Sequence, residues 1–201
     1  MARPEFIEDL CSNPDALVIW DTEFTAWPGS QERGWTGPGE HREIVQIGAI
    51  ALNAAADFAE IAAFECIIRP KINPELSAYF VDLTGITQER VDREGNLFPH
   101  ALDAFGGFVN RWAAGRIASF GRDDLVLNEN FALHRIAVPI ALHRFHDLRP
   151  ALETALGRTG LMSCELPRFF GLAVPEQGHD ALGDARAIAS VLRHLALGGE
   201  K

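Results

Sequence analysis

Lysine is almost missing from this sequence of 201 residues: only Lys71 and Lys201 occur among 18 basic residues, against 28 acids. The resulting net charge of −10 excludes a protein that coats long stretches of duplex, since every neutralised phosphate there needs a cation. It leaves room for one that grips a few terminal nucleotides, with arginine, which can hold a phosphate bidentately, as the available anion binder. No stretch reaches the run of about 18 apolar residues that a membrane helix needs, so no membrane partner is expected. The opening segment MARPEFIEDLCSNPD carries acids where a secretory leader carries an apolar stretch, which leads us to expect a cytoplasmic protein. Cysteine is scarce too. Cys11, Cys66 and Cys164 are odd in number and far apart, with no Cys-x-x-Cys pair. That excludes a disulfide framework and a thiolate zinc site, and leaves three buried thiols. Internal repeats and low-complexity tracts are absent.

What is present is a hydrophobic fraction of 47%, enough for a sizeable core in one compact domain. A single domain over 1–201 is expected, with its core at about 16–197. Residues 16–21 (ALVIWD) form an apolar run ending in an acid and read as a buried strand. Residues 28–41 hold four glycines and two prolines and read as a mobile loop. EIVQIGAIAL (43–52) and EIAAFECIIRP (60–70) read as two further strands joined near Asn53–Asp57. Helical spacing follows at Pro74–Leu83, from Thr87, and at 98–114, where Leu102, Phe105, Phe108, Val109 and Trp112 share a face. IASFG (117–121) reads as a fourth strand, with a helix after Asp124, and HRFHDL (143–148) as a fifth strand. A last helix at 181–197 carries Leu182, Ala185, Ile188, Ala189, Leu192 and Leu195 on one stripe. The pattern predicts an α/β fold: a mixed sheet with helices on its faces.

Three acidic signals punctuate this pattern. Asp21 and Glu23 stand two apart at the end of the first strand, so their carboxylates share a face and repel unless a cation lies between them. Taken alone, such a pair is more often a solvated strand end. His179 and Asp184 frame the start of the last helix, with Asp180 a plausible N-cap; a capping acid beside a surface histidine is the alternative. Asp123 and Asp124 follow the fourth strand at a strand-to-helix junction, where one of them is equally an N-cap.

Together these residues resemble the DEDDh exonucleases of the DnaQ-like superfamily, whose fold is related to ribonuclease H. Asp21 and Glu23 match that family's Asp-x-Glu, Asp124 its second motif, and His179 with Asp184 its His-x4-Asp; HDALGDARAIASVL is similar to its closing helix. The segment RPKINPELSAYFVDLTGITQERVD (69–92) and SFGRDD (119–124) resemble the subgroup of KapD-like bacterial proteins and histone-mRNA 3′ exonucleases. Phe120 departs from the usual tryptophan there. The Asp123-Asp124 doublet leaves two candidates for the second-motif acid, of which the spacing favours Asp124.

The resemblance implies a ribonuclease H-like mixed five-stranded sheet flanked by helices. It further implies a 3′–5′ exonuclease that releases nucleoside 5′-monophosphates from the 3′ end of single-stranded nucleic acid, RNA or short oligonucleotides ahead of DNA. Asp21, Glu23, Asp124 and Asp184 would hold two divalent cations, and their all-oxygen ligands favour Mg²⁺ or Mn²⁺. His179 would be the general base. By the same resemblance Phe24, Thr25, Leu83, Thr84 and Ile86 would meet the terminal nucleotide, with plain core packing the alternative for Phe24 and Ile86. Trp27 and Trp35 either stack on bases or pack the loop down. Two rival readings use the same residues: a metal phosphoesterase on small nucleotides, and a nucleic-acid-binding module without catalysis.

Overall fold

The computed structural model describes residues 4–12, 16–54, 57–112, 116–137, 142–175 and 178–199. Helix α1 (Glu5–Ser12) precedes three strands, β1 (Leu17–Phe24), β2 (Ile44–Leu52) and β3 (Glu60–Ile67). Helices α2 (Ala78–Thr84), α3 (Gln88–Glu94) and α4 (Phe98–Trp112) follow, then β4 (Arg116–Ser119) and α5 (Asp123–His134). The chain closes with β5 (Phe145–Asp147), α6 (Arg149–Leu156), a 3₁₀ segment at Ser163–Phe170 and α7 (Ala181–Ala196). The sheet has five strands in the order β3-β2-β1-β4-β5; β1, β2 and β3 pair antiparallel, whereas β4 and β5 run parallel to β1. This is the mixed, helix-flanked sheet that the sequence pattern predicts.

Strand β1 is the centre of the sheet and is covered on both faces, which is why it reads as a continuous apolar run. Its side chains alternate. Leu17 and Ile19 join a cluster with α1, α6 and α7, while Val18 and Trp20 pack with Phe105 of α4 and Leu127 of α5 on the other face. Asp21 and Glu23 continue the Leu17–Ile19 row, so the register delivers both carboxylates to the α7 side. In the ladder Asp21 lies opposite Gly48 and Glu23 opposite Gln46.

Several features differ from expectation. Helices α1 and α6 and the 3₁₀ segment were not expected; each packs apolar residues into the α7-side cluster. Ile7 and Leu10 of α1 are buried in the α7-side cluster, so the packed core begins before residue 16. The glycine-rich loop expected to be mobile is tied down at several points. Ser30 Oγ accepts from Trp27 N–H at 3.2 Å, Arg33 pairs with Glu40, and Trp35 Nε1 donates to the Thr25 carbonyl at 3.0 Å. Beside it Glu43, fully buried, accepts the backbone N–H groups of Lys71, Ile72 and Asn73. The three cysteines are free, as expected, but only partly buried. Among the described residues no helix is long and apolar enough to cross a membrane.

Candidate active site

The site begins with Gly48. A Cβ at this position would lie 2.2 Å from Leu182 N and 2.3 Å from the Ala181 carbonyl carbon, so only glycine lets the first turn of α7 rest directly on β2. Gln46, fully buried two residues earlier on the same face, fixes the helix there. Its Oε1 accepts from Ala181 N–H at 2.9 Å, and its Nε2 donates to Asp180 Oδ1 at 2.8 Å. Asp180 is the N-cap, accepting from Gly183 N–H at 2.9 Å. Just before it His179 adopts the left-handed region (φ 57°), a conformation that costs a non-glycine residue about 1–2 kcal/mol and that clusters at functional sites. The outcome is a convergence: one ligand atom each of Glu23, His179 and Asp184 lie within 4.8 Å of one another. Asp21 stands one row back on β1, close enough for Glu23 and Asp184 to perturb its titration.

The fourth acid is Asp123. Strand β4 ends at Ser119, so beyond it the edge of β1 has no strand partner among the described residues. Asp123 Oδ1 fills the gap, accepting from Thr22 N–H at 3.1 Å and Thr22 Oγ1 at 2.7 Å. It is buried and faces Asp21 and Glu23. Asp124 instead turns outward and pairs with exposed Arg122, Nε to Oδ1 at 2.8 Å and Nη2 to Oδ2 at 2.9 Å. The expectation that Asp124 joins the cluster is therefore corrected to Asp123. Consecutive residues at the start of a helix point about 100° apart, so only one of the pair can face β1.

Electrostatics follow from the packing. Burial first, and then Asp123, Glu23 and Asp184 in that order, push the Asp21 carboxyl well above its ordinary range. Burial followed by Asp184, Asp123 and Asp180 does the same to Glu23. Burial raises Asp123 to about 6 although both Thr22 bonds oppose it, and raises Asp184 to about 6 although Ser163 Oγ donates to its Oδ2 at 2.9 Å. Burial lowers the His179 imidazole below its usual value. Asp184 Oδ1 is buried with no hydrogen-bond partner among the described residues. Crowded carboxylates with an orphaned inward oxygen and all-oxygen donors fit a hard divalent cation.

The acids floor a cleft of about 450 Å³ that Phe24, Trp35, Arg42, Tyr79, Leu83 and Arg149 also line. Of the five residues expected to meet a nucleotide, Phe24 and Leu83 are on this wall. Thr25, Thr84 and Ile86 are not, and the structure corrects those three. Thr25 Oγ1 donates to the His41 carbonyl and accepts from Glu43 N–H; Thr84 Oγ1 donates to Phe80 O and accepts from Ile86 N–H; Ile86 is buried in a satellite core with Phe80 and Val91. Trp35 meets Phe24 edge-on at 5.4 Å, packing the loop down while facing the cleft; Trp27 is off it. Sequence reasoning missed Gln46, Gly48, Ser163 and Arg149. Gln46 carried a signal, a polar side chain inside an otherwise apolar strand; the others carried none.

A sequence profile described as Exonuclease (RNase_T) matches residues 18–192. The chain is 36% identical over 206 residues to ERI1 exoribonuclease 2 of Danio rerio, covering 91% of this chain and 35% of that protein, so it spans about a third of that relative's length. Among solved structures it is similar to the nuclease domain of 3′hExo, a DEDDh family member bound to rAMP, with TM-score 0.77 and 25% identity, covering 94% of this chain and 96% of that one. The fold also matches that of the 3′-exonuclease solved in 3′-end specific recognition of a histone mRNA stem-loop, with TM-score 0.80 and 24% identity, over 95% and 67% of the two chains.

Proposed function

This chain belongs to the exonuclease family RNase_T, and from that premise we propose that it removes nucleotides from the 3′ end of single-stranded nucleic acid. RNA and short oligonucleotides come before DNA as substrates, a preference supported by the exoribonuclease relatives. The observation that carries the reading is the convergence of Asp21, Glu23, Asp123 and Asp184 from three separate elements, with His179 within 4.8 Å of two of them. Asp21, Glu23, Asp123 and Asp184 would hold two divalent cations, Mg²⁺ or Mn²⁺. When bound, such ions neutralise the phosphate charge and acidify the attacking water.

The residues of the chain supply the remainder. Neutral His179, its proton affinity lowered by burial, accepts a proton from that water. Phe24 and Leu83 offer apolar walls to the terminal nucleoside on one side of the acids. Gln46 and the Asp180 cap hold the α7 turn so that Asp184 stays over β1.

Digestion of matched 5′-labelled single-stranded RNA and DNA with Mg²⁺ or Mn²⁺ tests the proposal, with Asp21→Asn as control. Progressive shortening from the 3′ end with release of nucleoside 5′-monophosphates is expected, faster on RNA. Hydrolysis of mononucleotide esters but no oligonucleotide would favour the phosphoesterase reading; binding without cleavage would favour the silent module.

A further inference from the structure

Three arginines line the cleft, and two are already spent on carboxylates. Arg42 pairs with Glu129 and Arg122 with Asp124. Arg149, the first residue of α6, pairs with no carboxylate among the described residues. Its guanidinium is held in place without being neutralised. Nη2 donates to the Phe120 carbonyl at 3.2 Å, and the carbon at the centre of the group stands 4.7 Å from the centroid of the Phe120 ring. The backbone that carries it is fixed by Asp147, whose Oδ1 accepts from both Arg149 N–H at 2.8 Å and Gly121 N–H at 2.9 Å. Gly121, at φ 129°, leaves room for the side chain: a Cβ there would lie 3.1 Å from Nη2. Nε is buried with no hydrogen-bond partner among the described residues. A buried, unpaired N–H beside a cluster of acids is costly unless an acceptor arrives from outside.

Its position says which acceptor. Phe24 of β1 and Leu83 of α2 line the same cleft as Phe120 and Gly121, which follow β4, and Arg149, which opens α6. With Arg42 and Arg122 paired, Arg149 is the cleft cation left for a phosphate that does not sit over the acids.

Resting on the exonuclease reading above, we propose that Arg149 is a substrate-binding residue that grips the phosphate one nucleotide upstream (5′) of the scissile one. It gives the enzyme a preference for chains of three or more nucleotides. In a chain with a net charge of −10, and with Arg42 and Arg122 of the cleft already paired, this cation weighs heavily in KM.

The test compares a dinucleoside monophosphate, whose only phosphate is the scissile one, with a trinucleoside diphosphate, which adds the upstream phosphate. Arg149→Gln is expected to raise KM on the trinucleotide about tenfold, the value of one charge-assisted hydrogen bond, with kcat little changed. On the dinucleotide both constants should match wild type. The salt dependence of log KM on the trinucleotide should flatten by about 0.7, the slope that one neutralised phosphate contributes on a single strand. Arg149→Lys, retaining the charge, should recover part of the affinity. Equal losses on both substrates, or none on either, overturn the assignment, as does a fall in melting temperature with activity lost in proportion. A wild-type protein inactive on both substrates and on the labelled oligonucleotides sinks the exonuclease reading itself, and this inference falls with it; activity on the oligonucleotides alone overturns only the Arg149 assignment.

Discussion

Replacing Asp184 by asparagine is expected to stabilise the metal-free protein while abolishing its activity. Asp184 is 2% exposed, and burial, with Asp180 and Asp123 adding to it, lifts its carboxyl from 3.8 to about 6 against the pull of Ser163. A rise of that size means the ionised group forfeits up to about 3 kcal/mol of folding free energy. The folded state holds the proton more tightly than the unfolded chain, so this penalty is absent below about pH 4. It grows as pH rises through about 6 and is constant above. The amide keeps an oxygen for Ser163 and removes the charge that Asp21 and Glu23 oppose. Because neighbouring acids relax when one charge leaves, about 1–3 kcal/mol should be recovered, or about 2–10 °C in melting temperature for a domain of this size. Thermal denaturation in EDTA at pH 5, 6, 7 and 8 reads this out. The variant should melt above wild type at pH 8, with the gap narrowing toward pH 5. Mn²⁺ should raise the wild-type melting temperature and leave the variant nearly unmoved. A variant that melts at or below wild type at pH 8 in EDTA would refute the claim that these acids are held together against their repulsion.

Three further outcomes follow from the geometry. Asp123→Asn should cut kcat by on the order of 100-fold or more, whereas Asp124→Asn, which loses only a pair with exposed Arg122, should stay within about threefold; the opposite ranking would restore Asp124 to the cluster. Gly48→Ala should cost about 1–3 kcal/mol of stability and up to about 100-fold in rate, because its Cβ would meet Leu182 N at 2.2 Å and displace the turn carrying Asp184; wild-type rates at normal stability would contradict this. His179→Ala should lose about 10²–10⁴-fold in kcat. In the wild type the acid limb of the pH–rate profile should lie below the usual imidazole value of 6.5, since burial disfavours the charged ring; an unchanged limb in the variant would assign it to another group.

The sequence by itself determined the sheet and the order of its major elements, because these are written in short-range periodicities; Asp21, Glu23, His179 and Asp184 were expected at the site from the family resemblance, and the structure brings them together. Alternation along ALVIWDTEF places Asp21 and Glu23 on one face, and the 3.6-residue stripe of 181–197 places Asp184 one turn into a helix. Helices α1 and α6 were not read from the sequence; what places them is the packing of Ile7, Leu10, Leu152 and Leu156 into the α7-side cluster. Tertiary structure alone decided between Asp123 and Asp124. The two are chemically identical and adjacent, and only the unpaired edge of β1, present because β4 stops at Ser119, selects the one that bonds Thr22. It also decided that Thr25, Thr84 and Ile86 serve the backbone and core rather than the cleft. The same holds for Gly48, Gln46 and Arg149, whose roles depend on partners far away in the chain. Periodicity fixes which way a side chain points from its own element; what it meets there is set by the elements packed against it.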